Sequence, residues 1–149
     1  MKKIFCLFIV LLLGGCAGLT ATYAPFASTS INTGEEKTAG IGDIFYEFAQ
    51  GQTMTDPMIA ARGITASGEK FDLTIVELNK DKIGLQYNEF VFTPGALIGY
   101  TYIPGAWMVK QGFNKRFDYA ITDKVIRFKG YDFEILSVEN GQIKYRRIK

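Results

Sequence analysis

The feature that most constrains this chain is a two-residue alternation of apolar and polar side chains that begins near Gly40 and is repeatedly cut by turn-forming residues. Such a period places successive side chains on opposite faces of an extended backbone, so one face can be buried and the other wetted. Ile44-Phe45-Tyr46-Glu47-Phe48 reads as the first strand, bounded by Gly42-Asp43 and Gly51. Gln52 to Gly63 reads two ways: Asp56-Pro57 opens a single helical turn with proline at its first position, or the stretch is a loop. Phe71–Leu78 and Ile83–Phe92 form a hairpin through Asn79-Lys80-Asp81, and Tyr131–Val138 and Ile143–Ile148 form another through Glu139-Asn140-Gly141. Phe117–Ile121 and Val125–Phe128 are short strands joined by Thr122-Asp123-Lys124. No stretch sustains the helical period. The expected fold is all-β: a small antiparallel barrel or sandwich of about eight or nine short strands in a single domain over residues 41–149.

The two hairpins match at a constant offset of sixty residues. Phe71-Asp72-Leu73 answers Tyr131-Asp132-Phe133, Ile75-Val76 answers Ile135-Leu136, Leu78 answers Val138, and Ile83 answers Ile143. An internal duplication and a plain likeness of two amphipathic hairpins both account for this.

Between the hairpins, Phe90 to Val109 runs for twenty residues without a charge, flanked by Glu89 and Lys110. Its length invites a membrane-spanning reading. Pro94-Gly95 and Pro104-Gly105 refute it, since each pair suits the centre of a type II turn and would break a helix. Three short strands are expected instead: Phe90–Thr93, Leu97–Ile103 and Ala106–Val109. Either they are the central sheet of the core, which the lack of charge favours, or one of their faces is an exposed apolar patch.

The chain opens with Met1-Lys2-Lys3 and an apolar run from Ile4 to Leu13. A bilayer-spanning helix needs about 20 residues, so this run is too short to anchor, and it reads as a secretory signal peptide over residues 1–15. Leu13-Gly14-Gly15-Cys16 follows directly. This sequence resembles the lipobox of bacterial lipoprotein precursors, a resemblance confined to the leader. It implies cleavage between Gly15 and Cys16, lipidation of Cys16, and attachment to a membrane of the cell envelope through those acyl chains. Ala17, where a retention signal would place Asp, favours the outer membrane of a Gram-negative cell. In a Gram-positive cell the same motif implies the outer face of the plasma membrane. Residues 16–40 are rich in Ala, Thr, Ser and Gly without a period. They are expected to form a flexible tether spanning roughly 25–30 Å, with Tyr23 and Phe26 available to dock on the domain or the bilayer.

The chain has two cysteines. Cys6 leaves with the leader and Cys16 is taken by lipid, so no disulfide is expected and the apolar core alone must hold the fold. All 15 acidic residues lie beyond Cys16, while Lys2 and Lys3 precede it, so the exported domain is near neutral and gives no reason to expect nucleic acid. Glu35 to Gly95 is predominantly acidic, and Lys110 to Lys149 predominantly basic. This asymmetry either builds a dipolar surface or, as is favoured, is interleaved once the strands pair.

The chain contains no histidine. With no free thiol either, Ser-His and Cys-His nucleophile systems are excluded and a transition-metal site is not expected. Neither an Asp-x-Asx-x-Asx-Gly calcium loop nor a Gly-x4-Gly-Lys phosphate loop occurs, and Gly40-Ile41-Gly42 lacks the third glycine of a dinucleotide loop. Ser67-Gly68-Glu69-Lys70 matches the Ser-x-x-Lys of penicillin-recognising enzymes, but that chemistry needs both side chains on one helix face. Gly68 argues for a polar turn there. Asp56, Asp72 and Asp118 remain for carboxylate-based hydrolysis of a wall polymer, the weakest reading.

No cofactor and no catalytic residue is expected. Tyr100, Tyr102 and Trp107 form the candidate binding patch, because flat amphipathic rings stack on sugars and anchor protein partners. The expected function is that of a lipid-anchored, non-catalytic structural or accessory protein that binds another envelope component. The alternative is a β-barrel lipoprotein that takes a small ligand or glycan.

Overall fold

The computed structural model describes residues 22–56, 60–98 and 101–149. Twelve strands run through them in chain order. The first five are β1 (Thr22–Thr29), β2 (Glu36–Gly40), β3 (Ile44–Asp56), β4 (Ala60–Leu78) and β5 (Lys82–Thr93). Three short ones follow, β6 (Ala96–Ile98), β7 (Thr101–Ile103) and β8 (Ala106–Val109). The last four are β9 (Lys115–Ala120), β10 (Val125–Phe128), β11 (Tyr131–Glu139) and β12 (Gln142–Arg147), with a 3-10 turn at Ile121–Asp123.

All the pairings are antiparallel and none closes a barrel. The larger sheet has the order β1-β3-β4-β5-β8, with β9 also paired to β5, and the smaller has the order β10-β11-β12-β2. Among the described residues β6 and β7 pair only with each other. The two main sheets pack face to face over one aromatic core, which makes the fold a sandwich. Phe45 of β3 stacks on Tyr145 of β12 at 4.1 Å and meets Phe133 of β11 edge-on at 5.1 Å. Tyr46 lies 5.0 Å from Phe133, and Phe71 lies 5.9 Å from Phe128. The Tyr145 hydroxyl donates to the Phe45 carbonyl across the sandwich. Burying each such ring or branched aliphatic contributes about 1.5–3 kcal/mol, and no cross-link assists them.

Phe45 and Tyr46 are consecutive yet both fully buried. A strict alternation would expose one of them; a register slip between Ile44 and Tyr46 turns both inward and leaves Ile44 outside. The two hairpins matched in sequence are β4–β5 in the larger sheet and β11–β12 in the smaller. Their likeness extends to the backbone. The register slips between Ile75 and Glu77 in one and between Ile135 and Ser137 in the other, again sixty residues apart. Val76 and Leu136, at the two bulges, are both exposed. Each hairpin also takes the strand before it on one side, β3 or β10; on the other side β12 takes β2, while β5 takes both β9 and, further along, β8.

Three expectations are corrected. Residues 22–40 do not form a tether. β1 pairs with β3 and β2 with β12, Ile31 and Ala39 enter the core, and the domain therefore begins before residue 41. Gln52 to Asp56 and Ala60 to Gly63 are neither helical turn nor loop, because they extend β3 and β4; Pro57 itself lies outside the described residues. The middle apolar strand, expected over Leu97–Ile103, is a hairpin in which Leu97 pairs with Tyr102 and Ile98 with Thr101. With β1 and β2 added and that strand divided, twelve strands replace the expected eight or nine.

Candidate functional site

The larger sheet outgrows the smaller. β10 and β11 turn back at Lys129-Gly130, both with positive φ, so the smaller sheet ends at the level of Phe128 and Tyr131. β3, β4 and β5 continue past that level. Gln50 pairs with Glu69, Glu69 with Val91, and Val91 with Met108, two rows beyond Phe48 and Phe71. The next row joins Phe26 to Gly51, Gly51 to Gly68, and Phe92 to Trp107. Gly51 and Gly68 are required there. A Cβ on Gly51 would lie 2.0 Å from the Ser67 carbonyl oxygen, and one on Gly68 would lie 2.9 Å from Cη2 of Trp107. The indole therefore rests on bare backbone, edge-on to Phe92 at 5.1 Å.

This overhang carries most of the uncharged run, and the expectation that Phe90–Val109 forms the centre of the core is overturned. Val91, Ile98, Ile103, Met108 and Val109 are all exposed, with Ile98 at 64%. Among the described residues no strand of the smaller sheet reaches far enough to cover Val91 and Met108, and Val109, two residues from Trp107, is on the outer face. β6–β7 leaves the end of the overhang through a neck pinched at Gly95 and Gly105, where a Cβ on Gly105 would lie 2.9 Å from the Gly95 nitrogen.

Of the candidate patch, Trp107 is half-buried on the outer side of the overhang. Tyr102 is placed by its backbone in β7, and Tyr100 lies outside the described residues. So do Gly15 and Cys16, with the whole leader. Sequence reasoning missed the Gly51–Gly68 pair, because each glycine alone reads as a strand boundary and only cross-strand register shows them facing.

A cleft of about 380 Å³ opens where the sandwich ends, lined by Phe48, Phe71, Tyr87, Tyr131, Glu69 and Lys129 among others. Its charged groups are engaged within the protein. The Lys129 ammonium donates to the Tyr87 hydroxyl at 2.6 Å and lies 4.7 Å from the Phe71 ring centre. Gln50 donates to Glu69, Glu89 accepts from Lys110 and from Tyr87, and Lys70 pairs with Glu47 at 2.7 Å. Lys129 holds φ 47 to reach this position, a left-handed conformation that disfavours lysine and is sustained here by the rings and hydroxyl it meets.

The carboxylates singled out from the sequence do not converge. Asp72 is buried and accepts from Asn88 at 2.7 Å, a structural role in the larger sheet. Asp118 pairs with Arg116 at 2.9 Å on the exposed face of β9. The backbone of Asp56 ends β3. Ser67-Gly68-Glu69-Lys70 is neither helix nor turn but the interior of β4, so alternation sends Ser67 and Lys70 to opposite faces.

The acidic and basic halves of the sequence are interleaved. Glu77 pairs with Arg116, Glu36 with Lys144 at 2.7 Å, and Glu89 with Lys110 at 3.3 Å. Hydrogen bonds from Lys144 to Glu36, from Lys82 and Arg116 to Glu77, and from Arg116 to Asp118 hold these three carboxyls below the usual carboxylate range. Burial raises the Tyr46, Tyr119 and Tyr145 hydroxyls above the usual phenol range.

The class defined by these observations is an antiparallel β-sandwich with one sheet drawn out into an apolar arm. No protein family matches the chain, and no characterised protein or solved structure matches it.

Proposed function

We propose that this is a lipid-anchored, non-catalytic accessory protein of the cell envelope that meets another envelope component through its apolar arm. The observation that carries the reading is the exposure of Val91, Ile98, Ile103 and Met108 on an overhang that the sandwich does not cover. Large exposed apolar patches on a folded domain mark contact surfaces. The engaged charges of the cleft favour the arm over the cleft as the place of contact, and the scattered carboxylates favour a non-catalytic role. The lipobox-like Leu13-Gly14-Gly15-Cys16 supplies the address and the anchor.

Two arms of one experiment test the proposal. Cys16→Ser should release the protein from membranes and abolish labelling by a fatty-acid probe; continued labelling contradicts the anchor. A photo-crosslinking residue in place of Ile103 should form an adduct with an envelope component in intact cells. Its absence, alongside normal acylation, contradicts the contact surface.

A further inference from the structure

The register of the larger sheet fixes which end of the molecule faces its anchor. β1 enters at Thr22, which pairs with Thr55 near the far end of β3. Phe26, four residues further along β1, is in the row of Gly51, Gly68 and Trp107. Thr22 thus lies about 13 Å beyond the Trp107 row, on the side away from the sandwich. β5 leaves in that same direction, through Thr93 into the neck of β6–β7. The chain's entry, the far end of the β3–β4 ribbon and the apolar arm all share one pole.

That pole is poor in charge. Residues 22–34, 48–55, 63–68 and 90–109 contain none; Asp56, which ends β3, and Arg62, near the start of β4, are charges at the tip of the ribbon, and the next enter the sheet at the Glu69, Lys70 and Glu89 level. Tyr23 is exposed at the same pole, with Ile98, Ile103 and Met108 on the arm.

Cys16 precedes Thr22 by six residues. At no more than roughly 3.3–3.6 Å per residue, those six reach about 20 Å at full extension. The lipid on Cys16 therefore keeps this pole, rather than the sandwich, within reach of the bilayer surface. We infer that the arm docks on the lipid surface itself, inserting Ile98 and Ile103 beneath the headgroups while Glu69, Lys70, Glu89 and Lys110 stay at the water's edge. The inference rests on the proposed lipidation of Cys16 and names the envelope component that the arm meets. A protein partner would have to enter the narrow space that the six-residue leash leaves between this pole and the membrane. The pole's two charges, Asp56 and Arg62, are of opposite sign, which further implies attachment by apolar insertion, not by attraction to anionic headgroups.

Trp107 is the chain's single tryptophan and sits at the root of the arm, so it reports on this contact without labelling. The acylated protein, reconstituted in phosphatidylcholine vesicles containing acyl-chain-brominated lipid, should show quenched Trp107 fluorescence. Shallow bromines should quench more than deep ones, and neither raised salt nor added anionic lipid should change the result. Ile98→Glu/Ile103→Glu, at positions already exposed, should remove the quenching while leaving acylation and the thermal transition unchanged. Unquenched Trp107 in protein whose Cys16 carries acyl chains by mass spectrometry overturns the inference and leaves the anchor standing. An unacylated Cys16 overturns the anchor and the inference with it. Crosslinks from position 103 exclusively to a protein also overturn it, by assigning the arm a different occupant.

Discussion

The hairpins β4–β5 and β11–β12 share a loop position, a bulge and a set of inward residues, yet they end differently. In the smaller sheet β10 reaches β11 through a two-residue turn at Lys129-Gly130, and the strands stop where the core stops. In the larger sheet the corresponding connection, from β3 to β4, is drawn out well past Phe48 and Phe71, and β5 continues to Thr93. Strand length beyond the shared core adds no buried contact across the sandwich. It instead exposes apolar surface, which adds to the hazard of aggregation. The two units therefore separate what the fold requires from what the arm adds, and the arm is where a function is to be sought.

The two hairpins are most alike at their bulges. Ile75 and Ile135 are equivalent, buried, and adjacent to the two register slips. Ile75→Ala and Ile135→Ala should each lower stability by about 2–5 kcal/mol in denaturant titrations, and by similar amounts. A large cost at one position and almost none at the other means the two hairpins do not support the core equally.

A smaller effect is expected from pH. Glu36, Glu77 and Asp118 have folded pKa values below their unfolded ones. Their contribution is therefore complete above the unfolded carboxylate range, near 4, and is lost as pH falls through the lower folded values. The buried tyrosines shift upward, so their contribution is complete below about pH 10 and is lost above it. With no histidine in the chain, the melting temperature should stay level from about pH 5 to 9 and decline on either side. A pronounced step between pH 6 and 8 runs against this account of the ion pairs.

What could be read from the sequence was what is local. The two hairpins, their turns and β10 follow from alternation and turn residues a few positions apart. β1 and β2 escaped because their partners are remote: Ala39 pairs with Ile143, and β1 is an edge strand whose mostly exposed residues show no alternation. The uncharged run misled for a different reason. Lack of charge usually marks a core, but burial also needs an opposing sheet, and the turn that ends that sheet, at Lys129-Gly130, is far along the chain. The aromatic patch was legible as a region, whereas the exposure of Ile98, Ile103 and Met108 beside it was not, because an apolar run reads as core until the opposing sheet is known. Lys129 drew no notice because a lysine before a glycine says nothing of the rings it will meet.

The core shared by the two sheets ends at the Lys129-Gly130 turn, and the arm stands apart from it. Amide hydrogen exchange on the folded protein tests this directly. The slowest amides should lie in both hairpins around Leu73–Leu85 and Phe133–Tyr145 and exchange only through global unfolding. Those of Phe90–Thr93 and Ala106–Val109 should exchange through a separate opening of lower free energy. A single opening free energy shared by the arm and both hairpins would contradict the claim.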